Sequence, residues 1–365
     1  LKILHVYKDF DPPVHGGMER HMALMCRFQR QWAHVEALTC SRSLGTRVTE
    51  RDGTRVTEVG EFGRFQSAPV SPLFPWYMRQ VKADVVVVHA PNPTAEIGWL
   101  MARPSGRLIV RYQSDVVRQA TAMKVYAPLQ MTFLRKAAMI LPSSQQYLDT
   151  SPSLQRVRDR CRVIPLGILP KEFALRDPAR VEALRAAYGG GFVLFSGRHR
   201  YYKGLEFLVR AAPRIEAPVV VAGAGPERAR CMALARALNV RIEFPGPLDQ
   251  EDLVAHLHAC DVFVFPSVAR SEAFGLSMLE AQACGKPVVA TTLGTGVELV
   301  NLHGQTGLNV PPRDPEALAD AVNALLEDEA RRDAMGRFAR ARVEGEFHAE
   351  RIARAEFDAY QEVLG

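Results

Sequence analysis

Short runs rich in β-branched residues alternate with longer stretches of helical periodicity along the whole chain. In the first half the apolar runs Leu1–Tyr7, His34–Cys40, Asp84–Ala90, Arg107–Tyr112, Met139–Pro142 and Arg162–Pro165 predict strands, with helices over Gly17–Gln31 and about Asp115–Ala138. Val85–Val88 and Leu108–Val110 lack polar alternation, the pattern of strands covered on both faces of a parallel sheet. The second half repeats the scheme. Strands are predicted at Phe192–Ser196, Val219–Ala222, Arg241–Phe244, Val262–Pro266, Pro287–Thr291 and Gly307–Val310. Helices are predicted at Gly204–Arg214, Glu227–Leu238, Asp249–Cys260, Phe274–Cys284 and Pro315–Leu326.

Strand–helix alternation carried out twice predicts an α/β protein with two doubly wound sheets. Both patterns break at Pro165, Gly167, Pro170 and Pro178, giving domains at 1–165 and 166–348. The amphipathic closing helix, 349–365, is expected to rejoin the first domain. Ligands of such sheets bind beyond the carboxyl ends of the strands, at the point where strand order reverses. Two such sheets facing one another would put the active site in the cleft between them.

The chain has 365 residues and a formal net charge of +6, unevenly spread. Residues 1–165 hold 23 Lys/Arg against 13 Asp/Glu, whereas the remainder is mildly acidic. Such asymmetry fits either ordinary solvation or a basic face meeting anionic lipid or a pyrophosphate-linked acceptor. No basic run is interleaved with aromatics, which argues against nucleic acid. The six cysteines are scattered with no CxxC pair, the usage of a reduced cytoplasmic protein without structural zinc. No apolar run reaches the roughly 18–20 residues that span a bilayer. The first residues lead straight into a strand and carry no secretory-signal pattern.

Candidate chemistry concentrates in Ser271-Glu272-Ala273-Phe274-Gly275-Leu276, which runs on to Glu280 and Gly285. The strand ending at Phe265-Pro266 is followed by a polar loop and then a helix beginning around Phe274–Leu276. A helix start offers unpaired amides and a positive dipole end to an anion, and Gly275 allows close approach. With a diphosphate there, one of Glu272 and Glu280 would face a sugar and the other a ribose, since carboxylates accept readily from vicinal hydroxyls. Taken alone, two glutamates eight positions apart also describe an ordinary helix.

In this context the stretch resembles the Glu-x7-Glu signature of glycosyltransferase family 4, whose members have the GT-B fold of two Rossmann-like domains. The resemblance covers essentially the whole chain. Pro13-Val14-His15-Gly16-Gly17-Met18-Glu19 is similar to the family's glycine-rich first loop, and Gly197-Arg198 with Lys203-Gly204 to its Gly-Arg…Lys-Gly element. Val221–Pro226, Phe244–Leu248, Ser114–Gln119 and Leu293–Gly296 also fit, most like bacterial enzymes adding mannose or related hexoses to O-antigen and exopolysaccharide repeats.

The resemblance implies a retaining hexosyltransferase that uses a nucleotide-diphosphate sugar, GDP-mannose-like or 6-deoxyhexose before UDP-hexose, and a lipid-linked glycan acceptor. It implies no cofactor and no metal. Arg198 and Lys203 would hold the departing diphosphate, Glu272 the sugar and Glu280 the ribose; Gly275 and Leu276 would supply amides, and Gly16 and Gly17 a close backbone. The protein would act in the cytoplasm at the inner face of the membrane. Asp9-Phe10-Asp11 mimics a metal-binding DxD, and Gly223-Ala224-Gly225 the start of a dinucleotide fingerprint whose third glycine position is Arg228; both are discounted. Gln113 stands where the family usually carries a histidine near the donor sugar's 6-position, and glutamine cannot take up a proton. A nucleotide-sugar 2-epimerase and a catalytically weak glycan- or nucleotide-binding protein remain alternatives.

Overall fold

The computed structural model describes every residue except 15, 66, 67 and 116–119. His15 and Val116–Gln119 of the quoted motifs therefore lie outside the described residues, as does part of the helix expected over 115–138. The chain forms two compact units, Leu1–Leu166 with Ala349–Gly365, and Gly167–His348.

The first unit contains β1 (Lys2–Val6), β2 (His34–Cys40), β3 (Arg47–Arg51), β4 (Thr54–Val59), β5 (Arg64–Phe65), β6 (Ala68–Pro69), β7 (Val85–Ala90), β8 (Arg107–Tyr112) and β9 (Met139–Pro142). Seven of these form one sheet in the order β3-β4-β2-β1-β7-β8-β9, while β5 and β6 pair as a separate hairpin. All pairings in the large sheet are parallel except β3 with β4. That hairpin turns at Asp52-Gly53, both with positive φ, the backbone that a two-residue turn of matching twist requires. Its polar alternation conceals it from a search for apolar runs.

Arg162–Pro165, expected as a strand, is not one. Arg162 and Ile164 donate to the carbonyls of Ile140 and Pro142 at the edge of β9. The buried Arg111 guanidinium claims the carbonyls of Ile164 (2.7 Å) and Pro165 (2.8 Å), so no ladder continues outward.

A column of buried polar side chains runs through this unit. His5 of β1 contacts His89 of β7 (3.1 Å) and Gln29 (2.8 Å), the latter on the helix Gly17–Gln29. Gln29 reaches Tyr360 (3.4 Å) on the helix Ala349–Leu364, and Tyr360 donates to Glu356 (2.8 Å). Glu356 also receives Arg111 (3.1 Å) and His21 (3.2 Å). Burial pushes the Glu356 carboxyl up, but Arg111, His21 and Tyr360 together outweigh it and hold the carboxyl far below the usual range. The C-terminal helix thus joins this unit through an ionised carboxylate as well as through Phe357 and Tyr360 packing.

The second unit contains β10 (Val193–Ser196), β11 (Val219–Ala222), β12 (Ile242–Gly246), β13 (Val262–Phe265), β14 (Val288–Thr291) and β15 (Gly307–Val310), all parallel, in the order β12-β11-β10-β13-β14-β15. Val193, Phe195, Val219, Val221, Val262 and Val264 are buried beneath Leu205, Leu208, Leu318 and Val322 of the flanking helices.

Burial keeps the His5 ring neutral, with its pKa pushed down to about 4 from 6.5, and lowers His21 and His89 in the same direction. Between those pH values the unfolded rings bind protons that the folded rings refuse. The stability is therefore complete above pH 6.5 and lost as the pH falls toward 4, by about 3 kcal/mol for His5 alone. The thermal midpoint of the first unit should fall steadily below pH 6.5, beginning well above the range in which carboxylates titrate. A flat profile down to pH 5 would contradict neutral buried rings.

Candidate active site

In the second unit the strand order reverses between β10 and β13, so the loops leaving their carboxyl ends diverge and open a crevice. The loop after β10 carries Gly197, Arg198 and Lys203; the loop after β13 carries Ser267, Glu272 and Gly275. Backbone stitches them together, since the Val268 amide donates to the Tyr202 carbonyl at 2.7 Å. Gly204 makes that approach feasible. Its φ is +65°, and a Cβ there would lie 1.9 Å from the Pro266 carbonyl oxygen.

At this junction Lys203 Nζ meets Glu272 Oε2 at 2.6 Å, with both side chains nearly buried. Ser267 Oγ donates to the same oxygen at 3.1 Å, and the ammonium lies 4.6 Å from the centroid of the Phe265 ring. A cation over an aromatic face, next to a carboxylate holding a second donor, is fixed in place before any ligand arrives. Arg198 stands exposed on the same loop, five positions earlier, while the intervening His199 is buried with its Nε2 against the Ala222 carbonyl (3.2 Å). Burial lowers the pKa of that imidazole, which leaves the loop's positive charge to arginine and lysine.

Gly275 caps the helix Leu276–Ala283 with φ +92°, and a Cβ would come within 2.5 Å of Met278 Cε. Among the described residues no side chain caps this start, so the amides of Leu276 and Ser277 face the crevice end of the helix, while the Met278 amide donates to the Gly275 carbonyl at 3.0 Å. Glu280 is half-buried on the following turn. The loop after β14 completes the wall. Glu298 accepts from the amides of Leu293 (2.8 Å), Gly294 (2.6 Å) and Thr295 (3.3 Å), Thr295 Oγ1 donates to the Glu272 carbonyl (2.9 Å), and Thr291 Oγ1 bonds the Ser267 carbonyl. Ser267, Thr295 and Glu298 were not anticipated. Ser267 stands two residues past β13 and Thr295 falls within the quoted Leu293–Gly296 segment, whereas Glu298 carries no such signal.

The structure therefore gathers Lys203, Glu272, Gly275 and Leu276 around one switch point, with Arg198 and Glu280 on the same loop and helix. Gly16, Gly17 and Gln113 belong to the first unit. Gly16 and Gly17 begin the helix that follows β1, and β1 and β7 mark that sheet's own reversal. Gln113 lies just past β8, buried, with its Nε2 3.4 Å from His89 Nδ1.

Asp9 of the DxD-like triplet is buried and bidentate to Arg64 (2.7 and 2.8 Å), with Arg42 at 3.1 Å. Burial raises its pKa and the two guanidinium groups lower it further, so the carboxylate is ionised and already neutralised. Among the described residues no three His, Cys, Asp or Glu side chains gather as a metal-binding set.

Comparison with known proteins agrees across the chain. Residues 181–342 match the family described as Glycosyl transferases group 1, and residues 16–167 the Glycosyl transferase 4-like domain. O-antigen chain mannosyltransferase C of Escherichia coli is 34% identical, covering 100% of this chain and 99% of its own length. D-rhamnosyltransferase WbpZ of Pseudomonas aeruginosa is 36% identical over 96% of this chain and 93% of its own. Among solved structures, a sucrose-phosphate synthase from Thermosynechococcus elongatus superposes with a TM-score of 0.83 at 24% identity, covering 100% of this chain and 99% of its own. HepE of Anabaena, in complex with UDP-glucose, gives 0.81 at 19% identity and 99% of both chains. These neighbours establish the GT-B fold.

Removing one partner of a buried ion pair leaves the other uncompensated, which typically costs about 3 kcal/mol or more. Lys203→Met should lower the denaturation stability of the second unit by about that much, and Glu272→Gln added to it should recover most of the loss. Additive losses in the double-mutant cycle would mean that the two side chains do not interact.

Proposed function

The chain belongs to the glycosyltransferase family of the group 1 and 4-like domains, and from that premise we propose that it transfers a hexose from a nucleotide-diphosphate sugar to a lipid-linked glycan with retention of anomeric configuration. The observation that carries this reading is the fixed Lys203–Glu272 pair beside the helix start at Gly275, at the switch point of the second sheet. As the bond from the sugar's anomeric carbon to the phosphate oxygen breaks, its electron pair stays on that oxygen and one further negative charge develops on the already anionic diphosphate. Arg198 forks onto its oxygens, Lys203 adds a point charge, and the amides from Leu276 face the remaining oxygens. These fixed donors supply without a metal what a divalent cation would otherwise provide.

Glu272, anchored by Ser267 and Lys203, accepts from hydroxyls of the sugar, and Glu280 accepts from those of the ribose. The acceptor hydroxyl attacks from the face the phosphate leaves, and its proton passes to a leaving phosphate oxygen. Both full-length relatives are named for mannose or D-rhamnose, the latter being 6-deoxymannose, which favours a GDP-mannose-like or 6-deoxyhexose donor over the UDP-sugar bound by HepE. Gln113 takes no part in proton transfer on this reading and serves as a hydrogen-bonding group. By the same relatives, the product belongs to O-antigen or related cell-surface polysaccharide.

A membrane-bound acceptor calls for a contact surface. No helix among the described residues is long and apolar enough to cross a bilayer. In the first unit Leu44, Phe62, Phe65, Leu73 and Trp76 are more than half exposed. Residues 62–83 contain no acidic side chain and carry Arg64, Arg79 and Lys82, of which Arg79 and Lys82 are exposed. Aromatic side chains flanked by cations suit the headgroup layer of an anionic membrane at the cytoplasmic face.

Arg198→Ala should lower kcat/KM roughly 100- to 1000-fold, the usual loss for one donor to a developing oxyanion, while acceptor-dependent nucleotide release stays insensitive to EDTA. Activity lost to EDTA and restored by manganese would overturn the metal-free reading; epimer formation without acceptor, or binding without turnover, would replace transfer itself. Separately, the protein should sediment with phosphatidylglycerol vesicles and not with phosphatidylcholine vesicles. Phe62→Ser with Phe65→Ser and Trp76→Ser should abolish this without changing the thermal shift produced by nucleotide. Unchanged sedimentation of the triple variant would rule out this surface.

A further inference from the structure

The buried column of the first unit has a direction, set from one end. Glu356 is an ionised carboxylate and can only accept, so Tyr360 donates its hydroxyl proton to Glu356 Oε2. The Tyr360 oxygen is then free to accept from Gln29 Nε2. That fixes the Gln29 amide with its oxygen toward His5 Nε2, 2.8 Å away, so the His5 proton sits on Nε2. A neutral imidazole with a proton on Nε2 accepts at Nδ1, and the group facing His5 Nδ1 is His89 Nε2 at 3.1 Å, which must be the donor. His89 Nδ1 consequently accepts, and its partner is the Gln113 side-chain amide. Five links in series thus leave Gln113 with its NH2 turned inward and its carbonyl oxygen without a partner among the described residues, on a side chain only 5% exposed.

A buried acceptor with no donor is costly unless a ligand supplies one. We infer that Tyr360 and Glu356 of the C-terminal helix are positioning residues, acting through Gln29, His5 and His89 to present the Gln113 carbonyl oxygen to a sugar hydroxyl of a ligand at the carboxyl end of β8. This rests on the transferase reading for the identity of the ligand, but the orientation of the chain does not. Arg111, held between Glu356 and the carbonyls of Leu141, Ile164 and Pro165, keeps the carboxylate ionised at the head of the series. A glutamine at position 113 suits such a relay. Its two ends have opposite polarity, so fixing one end determines the other.

Two measurements test the inference. Nitrogen-15 imidazole spectra of the full chain should show His5 and His89 as Nε2–H tautomers. A His89 proton on Nδ1 would reverse the last link, offer the Gln113 NH2 in place of the oxygen, and overturn the proposal whether or not the protein is a transferase. In turnover assays Tyr360→Phe removes both the donor to Glu356 and the acceptor of Gln29, and kcat/KM should fall about tenfold, the scale of one hydrogen bond. The same substitution in a Gln113→Ala background should change kcat/KM by less than about twofold, because the group being positioned is gone. An equal loss in both backgrounds would reduce Tyr360 to a structural role. Gln29→Met breaks the series at another link and gives the same pair of outcomes if Tyr360→Phe does not fold. A wild-type chain with the expected tautomers but no acceptor-dependent turnover would sink the transferase reading and leave the relay standing.

Discussion

An ammonium and a carboxylate, nearly buried and 2.6 Å apart, tie together two loops that leave adjacent parallel strands of the second unit. Much around them follows from that pairing. Gly204 must let the Pro266 carbonyl approach, Ser267 must satisfy the second lone pair on Glu272, and Phe265 must underlie the ammonium. The Leu293–Thr295 loop, folded around Glu298, then grips the Glu272 backbone from the far side. Each element is cheap on its own. Together they hold two opposite charges in water-poor surroundings beside an uncapped helix start, which is an arrangement suited to an anion carrying a polyhydroxylated group.

The first unit solves a different problem with different means. Three neutral histidines, two glutamines, a tyrosine and one ionised carboxylate are sealed inside it, where each polar atom left unpaired would be expensive. Arg111 and Glu356 supply the only strong charges of the column and compensate each other. The consequence is that the C-terminal helix is bound by specific polar partners, and that, among the described residues, the column leaves two buried acceptors open, His21 Nδ1 and Gln113 Oε1.

Apolar runs in the sequence marked β1, β2, β7, β8, β9 and five strands of the second sheet, because parallel strands covered on both faces leave few polar positions; the edge strand β12, largely unburied, was marked by alternation instead. The same rule failed where coverage is one-sided. The β3–β4 hairpin alternates Thr, Arg and Glu with valine, and its Asp52-Gly53 turn was the signal to use. Arg162–Pro165 reads as a strand by hydrophobicity, yet Arg111, 53 residues before Ile164, takes the carbonyls of Ile164 and Pro165, and nothing local announces that. At the site, the glycines and charged residues were visible as loop positions after strands. The Lys203–Glu272 pair was not, since the partners are far apart in sequence and meet only because β10 and β13 are neighbours. The bonds of Ser267 and Thr295 to Glu272 and the five-link column were equally invisible, being products of tertiary geometry.

The central claim is that fixed cations and amides of the second unit bind the pyrophosphate of a sugar nucleotide. A crystal structure with a bound nucleoside diphosphate tests it most directly. Phosphate oxygens should lie within hydrogen-bonding distance of both Arg198 and Lys203, with the amides just beyond Gly275 closing the remaining side. A pyrophosphate bound away from those two side chains would contradict it.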